Sequence, residues 1–186
     1  METFTKDQVI GTIASMCDII IENEVPFCEL DSAAGDGDFG MSLAKGFKVV
    51  KAEWANHSRD DIGAFLKDCG MIITEHCGGA SGPIWGSGFR AMGRYAQGKD
   101  TLTLAETGEM VQAAIDAVQK RGGAKLGDKT LLDALIPAVE SVKASGAAGE
   151  SFAVALPKAA AEAVEGGERT KLIAATKGRA SYVGER

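Results

Sequence analysis

The amino-acid sequence predicts an all-α fold: an antiparallel helical bundle or closed helical barrel of seven or eight helices. Three observations predict it. Apolar residues recur at three- and four-residue spacing along most of the chain. Capping-box pairs, Thr5 with Gln8 and Thr103 with Glu106, open two of the apolar runs. No Asn-Gly turn joins alternating runs of Val, Thr and Tyr, and β-branched stretches such as 71–74 sit inside helical stripes.

The first helix follows Thr5 and carries Val9, Ile13, Met16, Cys17 and Ile20 on one face. Pro26 ends it or lies just beyond. A second runs from about Met41 to Trp54 on a stripe of Leu43, Phe47, Val50 and Trp54. Asp60 or Asp61 caps a third, with Ile62, Phe65, Leu66, Cys69 and Ile73 inward. Pro83 suits the first turn of a fourth, which reaches about Tyr95. Gly86, Gly88 and Gly93 each cost that helix about 1 kcal/mol relative to Ala, so close approach of another backbone or a ligand is expected there. The fifth helix carries Met110, Ala114, Ile115 and Val118. A sixth spans Thr130 to Val142 with Leu131, Leu135, Val139 and Val142 inward and a kink at Pro137. Ser151 caps a seventh with Phe152, Ala155, Leu156, Ala159 and Val164, and a short eighth covers Arg169 to Ala175. With neither an internal repeat nor a low-complexity linker, one domain over 1–186 is the economical reading.

Composition narrows the function classes. Asp and Glu number 26 against 20 Lys and Arg, a net charge of −6 with no dense basic cluster, which argues against nucleic-acid binding. No apolar run approaches the roughly 20 residues of a membrane span, and the N-terminus is no signal peptide, so neither a membrane nor an export route is expected. The four cysteines, Cys17, Cys28, Cys69 and Cys77, match no zinc spacing and read as free thiols in a reducing cytoplasm, with Cys69 and Cys77 as neighbours around a helix end. His57 and His76 read as surface or packed histidines rather than ligands.

Three glycine-rich loops carry residue types suited to chemistry. Residues 30–40 place Asp31, Asp36 and Asp38 among Gly35, Gly37 and Gly40. Carboxylates are hard ligands, and glycines let a loop bring several onto one cation, although a solvated Asp-Gly turn would use the same residues. Residues 77–89 place Gly78, Gly79, Ala80, Ser81 and Gly82 before a proline-started helix, where free N–H groups and a small hydroxyl can cradle an anion. A plain interhelix turn would look the same. The third combines Gly122, Gly123 and Gly127 with Lys125, Lys129, Lys177, Arg179 and Arg186, a local positive charge in an acidic chain; Asp128 and Thr130 can serve as a simple helix cap. Neither a Walker A nor a Rossmann fingerprint is present. Two predicted helices separate the first two loops, so in an up-and-down bundle both emerge at one end.

The segments GDGDFG (35–40), GGASGP (78–83), GDKTLLDALIP (127–137) and KGRASYVGER (177–186), taken in order, resemble the nucleotide-binding (L) subunit family of dihydroxyacetone kinase over nearly the whole chain. The resemblance implies a helical barrel of about eight helices with ADP or ATP and two Mg²⁺ ions at one end. It implies Asp31, Asp36 and Asp38 as metal ligands, and nucleotide contacts at Phe39, Gly40, Met41, Ser42, Ala80, Ser81, Gly122, Leu131 and Arg179. It further implies a kinase subunit that presents a phosphoryl group to a small hydroxy-ketone held by a separate substrate-binding subunit. A phosphotransferase-system protein would recharge tightly held ADP, or ATP would be consumed directly. Two departures stand out. The family has His where this chain has Phe39, and Asn where it has Ser42. Members also continue past the GER segment through an Asp-Pro-Gly turn into a last helix, whereas this sequence stops at Arg186: either it is truncated before that helix, or the site of this member is less enclosed. The departures keep a second reading open, a nucleotide-binding regulatory module without efficient transfer. A ligand-free helical scaffold would leave the four segments unexplained.

Overall fold

The computed structural model describes residues 2–183. The chain forms two compact units, one over Thr5–Asp100 and the other over Met1–Phe4 and Thr101–Arg186. Eight α-helices occur among the described residues.

The first unit contains α1 (Lys6–Glu22), α2 (Glu24–Ser32), α3 (Phe39–Ala52), α4 (Ile62–His76) and α5 (Ser81–Tyr95), with a 3₁₀ turn at Trp54–Asn56. The Thr5–Gln8 capping box forms as predicted, with both reciprocal bonds present. Asp61 caps α4 by accepting the Ala64 N–H at 2.7 Å. Val9, Ile13, Cys17, Ile20, Leu43, Phe47 and Val50 are buried, as are all five residues of the α4 stripe. Met16 is only half-buried and Trp54 belongs to the 3₁₀ turn. The Phe47 and Phe89 rings meet edge to face with centroids 6.2 Å apart. The unit's two ends are tied where the Lys6 N–H donates to the Asp100 carbonyl at 2.8 Å.

α2 was not foreseen from the sequence. Pro26 lies just beyond α1, as expected, and it occupies the first turn of α2, where its missing N–H costs nothing. The close approach predicted for the α5 glycines is realised by α4. A Cβ on Gly93 would come within 2.8 Å of the Gly63 carbonyl oxygen, and one on Gly70 within 2.9 Å of the Arg90 nitrogen. The two backbones meet through glycines seven residues apart on each helix, Gly63 and Gly70 against Gly86 and Gly93.

The thiols are free, and burial pushes Cys69 up to about 12 and Cys17 and Cys77 to about 11. Cys69 lies within α4, whereas Cys77 follows its last turn and points its Sγ at the Leu43 carbonyl. His57 is packed, its Nε2 2.9 Å from the Val50 carbonyl and its ring against Trp54 and Phe65.

The second unit contains α6 (Leu104–Gly122), α7 (Leu132–Ala147) and α8 (Phe152–Arg169), with 3₁₀ turns at Thr170–Leu172 and Arg179–Tyr182. The two-residue strands β1 (Phe4–Thr5) and β2 (Thr101–Leu102) form one short ladder. The Thr103–Glu106 capping box is complete. Leu104, Val142, Phe152, Ala155 and Ala159 form a core cluster backed by Phe4 and Ala138. Three expectations shift. The inward stripe of α7 runs through Leu132, Val139 and Val142, leaving Leu131, its N-cap, and Leu135 half-buried. On α8, Leu156 and Val164 face outward, and Ala155 and Ala159 make the contact. The eighth predicted helix is one 3₁₀ turn; the α2 helix makes up the number. No helix among the described residues is long and apolar enough to cross a membrane.

Candidate functional site

The last turn of α2 supplies Asp31, the N-cap of α3 supplies Asp38, and the connecting turn supplies Asp36. The chain reverses tightly here: the Gly35 N–H donates to the Asp31 carbonyl at 2.6 Å, and Gly37 takes the left-handed φ of 72°. Gly35 is required by space, since a Cβ there would lie 2.7 Å from the Asp31 Cγ. The Asp31 Oδ2 accepts N–H bonds from Asp38 (3.1 Å) and Phe39 (3.3 Å), so this carboxylate also caps the N-terminus of α3. Each of the three aspartates has a carboxylate oxygen within 4.8 Å of the others. Asp31 is half-buried, and Asp36 and Asp38 are exposed. An all-oxygen, all-anionic donor set suits Mg²⁺ and has no affinity preference for soft metals.

The loop after α4 lies against the start of α3. The Gly78 N–H donates to the Ser42 carbonyl at 3.0 Å, and a Cβ on Gly78 would stand 2.6 Å from the Ser42 Oγ. Gly79 turns with φ 53°, Ala80 is the N-cap of α5 and Ser81 its first residue, and no side chain caps that helix end. Its first N–H groups, those of Ser81 and Gly82, are therefore available to an anion, and the loop before them lies on α3, whose N-cap is Asp38. Gly40 lets α3 approach α2 closely, a Cβ there falling 2.9 Å from the Cys28 nitrogen. The Phe39 ring is 37% exposed and 6.2 Å from that of Phe27, and Met41 is exposed beside it. Thus Asp31, Asp36, Asp38, Phe39, Gly40, Met41, Ser42, Ala80 and Ser81 all belong to the Thr5–Asp100 unit, with the acidic and glycine-rich loops joined through Ser42 and Gly78.

Gly122, Leu131 and Arg179 belong to the other unit. Gly122 is the last residue of α6, closed by Gly123 with φ 64°. Leu131 is the N-cap of α7, and Arg179 opens the final 3₁₀ turn. The intervening loop is organised by two buried carboxylates. Asp133 accepts N–H bonds from Gly127 (2.6 Å) and Thr130 (2.7 Å). Asp128, 6% exposed, accepts the Lys125 N–H at 2.9 Å and the Thr176 hydroxyl at 2.7 Å. The Thr176 hydroxyl, and then the Lys125 N–H, hold the Asp128 carboxyl below the usual carboxylate range. Lys177 reaches back to the end of α6, its Nζ 3.9 Å from where a Gly123 Cβ would stand. The two halves of the predicted third site are therefore adjacent. Arg186 lies outside the described residues.

Sequence reading missed two working parts. Asp31 on a helix rather than in a loop was hidden because α2 has no buried residue and so no apolar stripe. The Asp128–Thr176 pairing spans 48 residues, and the only local signal was an aspartate between lysines in a glycine-rich turn.

An all-helical chain with a three-aspartate turn set beside a glycine-rich anion loop has the make-up of a metal- and phosphate-handling protein. The chain matches the DAK2 domain model over residues 33–186 and belongs to that family. It is 35% identical over 184 residues to the ADP-binding subunit DhaL of the PEP-dependent dihydroxyacetone kinase of Escherichia coli (strain K12), covering 99% of this chain and 88% of that one. It is 31% identical over 182 residues to the ADP-binding subunit DhaL of the PTS-dependent dihydroxyacetone kinase of Lactococcus lactis, covering 98% and 86%. Among solved structures it is similar to the dihydroxyacetone kinase of C. freundii in complex with AMP-PNP and Mg²⁺, with a TM-score of 0.73 and 26% identity. That match covers 93% of this chain and 30% of the larger kinase chain.

Proposed function

We propose that this chain is the ADP- or ATP-binding, Mg²⁺-binding subunit of a dihydroxyacetone-type kinase complex, presenting a phosphoryl group to a small hydroxy-ketone held on a partner subunit. One observation carries the reading: the cluster of Asp31, Asp36 and Asp38, within 4.8 Å of one another, in a chain similar over nearly all its length to ADP-binding kinase subunits. Closure of the helices into a barrel, one domain over 1–186 and a pair of Mg²⁺ ions belong to the same proposal and rest on the family resemblance.

Bound divalent cations would supply neutralisation of the charge that develops on the transferring phosphoryl group. The three aspartates hold them, Asp31 being pre-oriented by the N–H groups of Asp38 and Phe39. Ser81, with Ala80 and the first N–H groups of α5, receives phosphate oxygens. Gly40, Met41 and Ser42 line the approach from α3, and Phe39 offers a ring rather than a hydrogen-bond donor. The family resemblance adds Gly122, Leu131 and Arg179 as nucleotide contacts, Arg179 through a fork suited to phosphate. We assign no general base to this chain, because the substrate is placed on the partner.

Calorimetry tests the site directly. The substitution Asp36→Ala is expected to abolish Mg²⁺-dependent ADP binding, and an unchanged affinity would overturn the assignment. The relatives named as PEP- or PTS-dependent favour a cycle in which bound ADP is recharged by a phosphotransferase-system protein. Multiple turnovers with ATP, substrate subunit and no such donor would reject that cycle. The regulatory reading is favoured by Phe39, an apolar ring where the family has His; phosphoryl transfer in the presence of a competent partner would eliminate it.

A further inference from the structure

The segment that carries Lys177 and Arg179 has almost no packing to hold it. From Lys171 to Val183 no residue is buried, and Leu172 and Tyr182 are 87% and 89% exposed. Its two 3₁₀ turns have three and four residues, too short to be stable by themselves. Hydrogen bonds hold it instead. The Thr176 hydroxyl donates to the Asp128 carboxylate at 2.7 Å, and the Thr176 N–H donates to the Asp128 carbonyl at 3.2 Å. One residue on, the Lys129 ammonium donates to the Ile173 carbonyl at 3.1 Å. Among the described residues, Lys129 is the one non-glycine residue with a left-handed backbone, φ 59°, a conformation that persists only where surrounding contacts enforce it.

We infer that Asp128 and Thr176 form a latch that positions the Lys177–Arg179 segment against the end of α6 for nucleotide binding. The inference rests on the proposed function, and it assigns both as positioning residues rather than catalytic ones. The anchor is rigid on its own side: Asp128 is buried, accepts the Lys125 N–H, and sits in a loop whose other turns are fixed by Asp133. The bond from the Thr176 hydroxyl therefore carries that rigidity across to a segment with no buried residue of its own. Immediately beyond it, Lys177 reaches Gly123, the residue after Gly122, and Gly178 turns with φ 62° to deliver Arg179. The latch thus sets the position of Lys177 beside the end of α6, next to the predicted nucleotide contact at Gly122, and of Arg179 two residues further on.

The test compares wild type with Thr176→Val, Thr176→Ser and Asp128→Asn, as full-length chains. Three quantities are read: ADP affinity at saturating Mg²⁺ by calorimetry, Mn²⁺ affinity without nucleotide by electron paramagnetic resonance, and the rate of tryptic cleavage after Lys177. Thr176→Val should weaken ADP binding about ten-fold, the loss expected for one hydrogen bond to a buried charge, and speed the cleavage. Thr176→Ser, which keeps the hydroxyl, should restore both. Mn²⁺ affinity should be unchanged, since the aspartate cluster lies in the other unit. Wild-type ADP affinity in both Thr176→Val and Asp128→Asn would overturn the latch, as would an equal loss of Mn²⁺ affinity. A wild-type protein that binds no Mg-ADP would instead overturn the functional reading beneath it.

Discussion

Asp61 shows how one carboxylate links local structure to stability. Its side chain accepts the Ala64 N–H, and that bond, followed by N–H groups of Gly98 and Gly63, holds its carboxyl below the usual range. A carboxyl depressed in the folded state adds stability that is complete above the unfolded carboxylate range and is lost as pH falls through the folded value. Replacing Asp61 with Ala should cost about 1 kcal/mol at neutral pH, as for other N-cap deletions, and urea titrations will measure it. The deficit should shrink as pH falls below about 4, because wild type then loses the same bond. The cap was legible in the sequence to within one residue, as Asp60 or Asp61 before an apolar helical stripe, since a cap signal is local; the structure selects Asp61. Asp128 was not, because its partner Thr176 is remote in sequence and nothing near Thr176 marks it.

At the scale of elements, glycines in helices divide into those that cost stability and those that permit contact. Gly93 faces α4, where a Cβ would stand 2.8 Å from the Gly63 carbonyl oxygen and 2.9 Å from the Lys67 nitrogen. Backbone cannot yield as a side chain can, so Gly93→Ala should destabilise by about 1–3 kcal/mol through overpacking, despite the better helix propensity of Ala. Gly11 in α1 has open space for 4 Å around the point where a methyl would stand, and Gly11→Ala should stabilise by about 0.5–1 kcal/mol. Opposite signs in chemical denaturation are the expected result; equal signs would mean that α4 and α5 do not meet as described. The sequence marked Gly86, Gly88 and Gly93 as anomalous within a helix but did not name the facing element. Likewise α2 escaped notice because it buries no apolar face, and the eighth predicted helix shrank to a 3₁₀ turn for want of one.

For the whole molecule, the one-domain proposal predicts a single calorimetric unfolding transition. Mg²⁺ with ADP should raise its midpoint, by an amount that grows with the logarithm of ligand concentration above the dissociation constant. Two separated transitions, with only one moved by ligand, would overturn that proposal. What the sequence by itself determined was local: helical periodicity, two capping boxes, a cap at Asp60 or Asp61, and the three glycine-rich loops with their acidic and basic residues. Such features depend on neighbours within one or two turns, so they are written in contiguous residues. Only the tertiary structure decided that Asp31 sits on a helix end and shares its carboxylate with the start of α3, that Gly78 lies on Ser42, and that Asp128 grips Thr176. Those contacts join segments separated by up to 48 residues, and they exist only where turns and helix packing bring a donor to its acceptor.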